Sequence, residues 1–187
     1  MCCRRDGLNK DMKLRRILAL SLLLLSTLTP ASLAETAHPG FYQPQENAAM
    51  DYDDSESRWS FARSVESEHF LLFWEAGFCE NPLNAAPDMR VDTADLLEKA
   101  ELFYAENVDR LHMADEPLPG GDKLQIYLLY TADWVATGAG YDNRIGALWI
   151  SPATCQPAGS VIAHEIGHCF QYLTYCQALE SGAPDDS

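Results

Sequence analysis

The plainest chemistry in the chain lies near its C-terminal end. There His164, Glu165 and His168 stand in the run Ser160-Val161-Ile162-Ala163-His164-Glu165-Ile166-Gly167-His168-Cys169-Phe170-Gln171-Tyr172. The spacing is H-E-x-x-H. Residues four apart share a helix face, so both imidazoles can reach one metal ion. Zinc takes neutral imidazole nitrogens at about 2.0–2.1 Å, and a catalytic site leaves one position to water. Glu165 directly follows the first ligand, so it is placed to take a proton from that water rather than to bind the metal. Two zinc ligands, His164 and His168, and one general base, Glu165, are readable; a third protein ligand is not. The plain alternative is a core helix with two hydrogen-bonded histidines and a solvated carboxylate.

The neighbouring residues suit a helix. Val161, Ile162, Ala163, Ile166, Phe170 and Leu173 recur with helical spacing and can bury one side, while His164, His168 and Gln171 fall on another. Ser160 can cap its start. Gly167 costs about 1 kcal/mol relative to Ala, and close approach of another backbone would explain its presence. Upstream, residues 69–75 read as a buried strand stopped by Gly77, Asn81 and Pro82. His69 opens that strand and reads as structural. Asp92 or Thr93 can cap a long amphipathic helix of about 20 residues. Its apolar side is Ala94, Leu97, Ala100, Leu102, Phe103, Val108 and Leu111, and it ends before Pro117-Leu118-Pro119-Gly120-Gly121. Residues 123–130 and 145–151 read as further strands. Between them 137–142 is a Gly-rich loop without the Lys-Ser/Thr pair of a phosphate loop.

These elements need a compartment and a core. The 187 residues suit one domain. Met12 to Arg16 form a charged region, Ile17 to Leu25 an apolar one, and Pro30 to Ala34 a small-residue cleavage site, so 1–34 reads as a signal peptide cut after Ala34. The apolar run is too short for a membrane anchor. The expectation is a secreted, periplasmic or extracellular protein with no membrane insertion. The chain holds 13 Lys/Arg and 28 Asp/Glu; removing six basic residues (Arg4, Arg5, Lys10, Lys13, Arg15, Arg16) and two acids (Asp6, Asp11) leaves seven and 26, a net charge of −19. Such a surface repels nucleic acid and anionic lipid. Residues 35–60, with the acidic run Asp51 to Glu56, read as an extended flexible leader to a domain over 61–187. Cys79, Cys155, Cys169 and Cys176 allow one or two disulfides, in an order the sequence leaves open. Cys169 and Cys176 cannot bridge each other along one helix, and no C-x-x-C spacing supports a cysteine metal site.

The runs Ser67 to Glu75, Gly77-Phe78, Asn81-Pro82 and Ala163 to Tyr172 resemble a group of secreted microbial proteins catalogued as a domain of unknown function and similar to zincin zinc metallopeptidases. The resemblance spans about 60–187. The H-E-x-x-H-x-x-Q form is also similar to the basic-secretory-protein group of plants and bacteria. The resemblance implies an α+β, zincin-like fold: a small mixed sheet packed on the long helix and the H-E-x-x-H helix. It also implies that the strand over 146–151 forms an exposed edge that binds a protein or peptide substrate by strand addition. The third ligand it implies is a Glu on a following helix. Thr174 stands where a third His of the H-E-x-x-H-x-x-G-x-x-H subclass would fall, and Gln171 replaces its Gly. Glu180 lies three turns past His168, about 18 Å along the axis. The expectation is therefore a C-terminally truncated domain without its third-ligand helix. Tyr172 or Tyr141 could stabilise an oxyanion; aromatic packing is the alternative for both. A non-catalytic, degenerate binding domain is the second functional expectation. No paired carboxylates support a glycosidase.

Overall fold

A computed structural model describes residues 38–114, 118 and 121–180, without the side chains of 179 and 180. The expected signal peptide with Cys2 and Cys3, the Glu180 side chain and the segment 181–187 lie outside these residues. Five strands and two α-helices are described: β1 (Ser64–Glu66), β2 (Phe70–Trp74), α1 (Thr93–Ala105), β3 (Leu124–Leu128), β4 (Ala136–Tyr141), β5 (Ile145–Ile150) and α2 (Ser160–Glu180). The class is α+β with a mixed sheet, as expected, and the strand order is β1-β2-β3-β5-β4.

Every residue of β2 and β3 is buried, which is what near-continuous apolar runs require when both faces of a sheet are covered. β2, β3 and β5 run parallel. Parallel neighbours need a crossover, and α1 lies in the one between β2 and β3. The outer strands are antiparallel: β1 on β2, β4 on β5. One face of the sheet carries Phe70, Leu72, Leu124, Ile126, Leu128, Leu148 and Ile150 against Leu96, Ala100 and Tyr104 of α1 and Ile162, Ile166, Phe170 and Leu173 of α2. The other face carries Leu71, Phe73, Tyr127 and Ala147.

From Phe41 on, that second face corrects the reading of residues 35–60 as a flexible leader; residues 35–37 lie outside those described. Tyr52 and Trp59 are buried on it, with Phe41, Tyr42, Met50 and Phe61 packed alongside. The acidic run does not prevent this, because its carboxylates serve the backbone: Asp51 accepts from the Asp53 N–H and Asp54 from the Glu56 N–H. Buried Arg63 then gathers the carbonyls of Ser55, Ser57, Arg58 and Trp74. Apolar area outweighs charge here because the charges never leave the surface.

Four further expectations change. Residues 137–142 are not a loop but β4 with its end at Tyr141, and β4, not the strand over 146–151, is the edge; β5 is interior. Glycine is the reason. A Cβ at Gly138 would stand 2.0 Å from the Glu165 carbonyl oxygen, and one at Gly140 would stand 2.2 Å from the Tyr172 ring. The bare strand lets α2 lie directly on it. Gly167, by contrast, has nothing within 4 Å of where a Cβ would stand, so the close approach expected there occurs on the strand instead. Lastly, α1 stops at Ala105 and continues as a π-helical turn, Glu106–Arg110. Leu102 and Leu111, assigned to the apolar side, are 60% and 50% exposed; Leu96 and Tyr104 are buried in their place.

Asp92 caps α1 by accepting from the Ala94 and Asp95 N–H groups. Glu101 then ties the helix to the start of β2: its carboxylate accepts from the His69 N–H at 2.9 Å and meets His69 Nδ1 at 2.7 Å. The His69 ring stacks on Tyr104 with centroids 4.0 Å apart, so the structural role expected of His69 is the one it has. Burial works against the charge on Glu101, but the surrounding donors, the His69 N–H and ring among them, outweigh it and hold its carboxyl below the usual value of 4.5.

Two predictions follow from this packing. Gly138→Ala should destabilise the protein by about 3 kcal/mol, because a backbone oxygen cannot move aside as a side chain can. Gly167→Ala should instead stabilise it by about 1 kcal/mol. Urea denaturation midpoints read both. For Glu101, a carboxyl lowered on folding adds stability that is complete above its unfolded value and is lost as pH falls through the folded one. Melting temperatures followed from neutral pH down through the carboxylate range should therefore fall less steeply for Glu101→Gln than for the native protein.

Candidate metal centre

Helix α2 has three working sides, set by its 100° step. Ile162, Ile166, Cys169, Phe170 and Leu173 face the sheet and are almost fully buried. Glu165 and Tyr172 lie toward β4, where their atoms meet the glycines of that strand. Ala163, His164, Gly167, His168 and Gln171 line a groove of about 320 Å³ whose opposite wall is Phe103, Glu106, Asn107, Leu111 and Met113. The histidines and Gln171 thus share the face expected of them. The groove wall contributed by the end of α1 was not foreseen. Asn107 was its one signal, a polar residue that is buried within the π-helical turn and donates to the Phe103 carbonyl at 2.7 Å.

The two imidazoles converge. His164 Nε2 and His168 Nε2 stand 2.9 Å apart, with the ring planes at 82°. Two nitrogens on one tetrahedral zinc at 2.0–2.1 Å would be about 3.3 Å apart, so the pair fits a shared cation after a few tenths of an ångström of opening. His168 Nδ1 lies 2.9 Å from Gln171 Oε1. His164 is exposed and His168 half-buried, so the pair reaches solvent. Glu165 does not share that exposure; it is 6% exposed. Among the described residues no three His, Cys, Asp or Glu side chains form a metal-binding group. Glu106 faces the same groove, but its carboxylate is paired with Arg110.

The remaining candidates sit elsewhere. Among the described residues no disulfide joins Cys79, Cys155, Cys169 and Cys176. Cys169 Sγ donates to the Ala147 carbonyl at 3.3 Å, and Cys176 Sγ to Asn143 Oδ1 at 3.7 Å. Burial pushes the Cys155 and Cys169 thiols up to about 12, which leaves them unreactive. Tyr141 is buried among Tyr127 and Trp149 on the face of the sheet away from α2, so strand alternation removes it from the histidines. The Tyr172 hydroxyl accepts from the Asn143 N–H at 2.9 Å. It ties α2 to the turn between β4 and β5, in which Asp142 and Asn143 both have positive φ. Tyr141 is thus turned away from the histidines, and the Tyr172 hydroxyl is engaged with Asn143, to whose Oδ1 it donates at 3.4 Å. A larger hollow, about 650 Å³, opens beside His69, Tyr104 and Lys123 and contains neither His164 nor His168.

Fold and site together describe an α+β protein whose H-E-x-x-H residues lie on a helix beside the antiparallel edge of a mixed sheet. The chain belongs to the family described as Family of unknown function (DUF6055), whose model matches residues 33–186. That agrees with the unknown-function group its sequence resembles. No curated protein and no solved structure matches it.

If Tyr172 is an anchor, Tyr172→Phe should cost about 1 kcal/mol of stability and leave metal affinity unchanged. Thermal melts and metal titration of the same preparation check both halves.

Proposed function

We propose that this chain is a secreted zinc-dependent metallopeptidase domain of zincin-like architecture, acting on a protein or peptide substrate. The observation that carries the reading is the 2.9 Å convergence of His164 Nε2 and His168 Nε2 on a solvent-reaching groove, with Glu165 as the adjoining residue. The antiparallel edge strand β4 above the helix supports it, since an edge strand can take an extended peptide as a further strand. No helix among the described residues is long and apolar enough to cross a membrane; secretion rests on the reading of residues 1–34.

His164 and His168 would hold the metal through Nε2. Zinc so held would supply a Lewis acid and a water of lowered pKa. Glu165 sits a helix step from His164, on the side of β4, and its carboxylate would accept a proton from water and return it to the leaving amine. The residue is almost fully buried, and its backbone lies against Gly138. Tyr141 and Tyr172 take no part.

A second reading, a binding domain that keeps the architecture without the chemistry, draws on two observations. No third ligand joins the histidines among the described residues, and Glu165 is 6% exposed. Metal affinity and turnover separate the two readings. On the first, His164→Ala abolishes stoichiometric zinc binding, while Glu165→Gln keeps zinc and loses about 10²–10⁴-fold in peptide hydrolysis. Zinc content by mass spectrometry and cleavage of a quenched fluorescent peptide measure these. Hydrolysis unchanged in Glu165→Gln would refute the mechanism; zinc binding without hydrolysis in the native chain would favour the second reading.

A further inference from the structure

We propose that Gln171 is a positioning residue that fixes the tautomer of His168, presenting Nε2 as a free lone pair before any metal arrives. The affinity part rests on the zinc reading above; the tautomer part stands without it. His168 Nδ1 lies 2.9 Å from Gln171 Oε1. An amide oxygen only accepts, so Nδ1 carries the hydrogen and a neutral ring keeps its lone pair on Nε2. That lone pair faces His164 Nε2 at 2.9 Å, and two nitrogens at this distance need one hydrogen between them. His168 Nε2 has none to give, so His164 donates from its own Nε2.

The two rings are therefore unequal. His168 is already in the ligand form, whereas His164 must move its hydrogen to Nδ1 before its Nε2 can bind a cation. Its exposure lets water carry that exchange. Gln171 reaches His168 because residues three apart are neighbours on a helix surface, which gives the glutamine of H-E-x-x-H-x-x-Q a chemical duty. Metal-bound histidines are commonly oriented in this way by an acceptor on the other ring nitrogen, and losing that acceptor weakens metal binding by about 10–100-fold.

The test uses the full chain, metal-free and then titrated with zinc. In ¹⁵N ring spectra of the metal-free protein, the unprotonated nitrogen of His168 should be Nε2. In Gln171→Leu it should shift toward Nδ1, the ordinary preference of a free imidazole. Zinc Kd should weaken about 10–100-fold in Gln171→Leu and recover in Gln171→Glu, whose carboxylate is an equal or better acceptor. A native His168 carrying hydrogen on Nε2 would overturn the proposal, because it would mean that the Gln171 amide presents its nitrogen. So would a Gln171→Leu variant with native spectra and native Kd. Loss of zinc in His164→Ala alongside native affinity in Gln171→Leu would sink this inference and spare the zinc reading. Native affinity in both would sink the zinc reading, with the tautomer result still deciding the role of Gln171.

Discussion

The structure depends on one close contact: the backbone of β4 against the backbone of α2. At Gly138 the strand comes so near the Glu165 carbonyl that no side chain fits between them. Helix–sheet packing normally keeps a layer of side chains between the two backbones. Removing that layer brings the H-E-x-x-H helix within reach of the sheet's outer strand. It also makes Glu165 a buried residue although the His164 beside it is exposed. Gly140 against Tyr172, and Gly146 against Cys169, extend the contact along the helix. Any helix-facing side chain on β4 would push α2 outward and carry the histidines with it.

The sequence made the interior legible and the periphery obscure, for physical reasons. Strands at 69–75, 123–130 and 145–151 announce themselves because strands buried on both faces must be apolar throughout, and they became β2, β3 and β5. The helix bearing His164 and His168 was readable from its periodicity. Strand β4 was not, since its composition, Ala-Thr-Gly-Ala-Gly-Tyr, has low strand propensity; it is a strand because its neighbour pairs with it and α2 needs its bareness. The cover formed by residues 41–61 was hidden behind its acids, although Phe41, Tyr42, Tyr52, Trp59 and Phe61 hold more apolar surface than a solvated segment keeps. At the site, the ligand face could be placed by counting residues. Its opposing wall could not, because a π-helical turn breaks the count at Glu106.

Two cores on one sheet explain how so acidic a chain packs. The face toward the helices mixes aliphatic residues with Phe70, Tyr104 and Phe170, and the opposite face is mostly aromatic, with Phe73, Tyr127, Trp149, Tyr52 and Trp59 in ring contact. Arg63, buried, satisfies four carbonyls, and Gln125 on β3 donates to the Tyr42 carbonyl at 2.6 Å, so that side chain joins the cover to the sheet. Burial drives the Tyr127 hydroxyl far above its usual range, which keeps it neutral at any pH the fold survives. Apart from buried Glu165, the acidic side chains of the described residues stay at or near the surface, and their cost is self-repulsion there rather than desolvation within.

The same separation bears on the site. His164 and His168 point to solvent on one side of α2, whereas Glu165, a third of a turn away, is enclosed on the side of β4. For proton transfer that division has a consequence under the zinc reading. A carboxylate held in an enclosed niche beside an exposed cation feels the cation through protein rather than through water, where screening is weaker. The glycine contact at Gly138 thus sets more than the height of the helix above the sheet. It seats the Glu165 backbone against the strand, with Glu165 buried beside an exposed His164 and a half-buried His168.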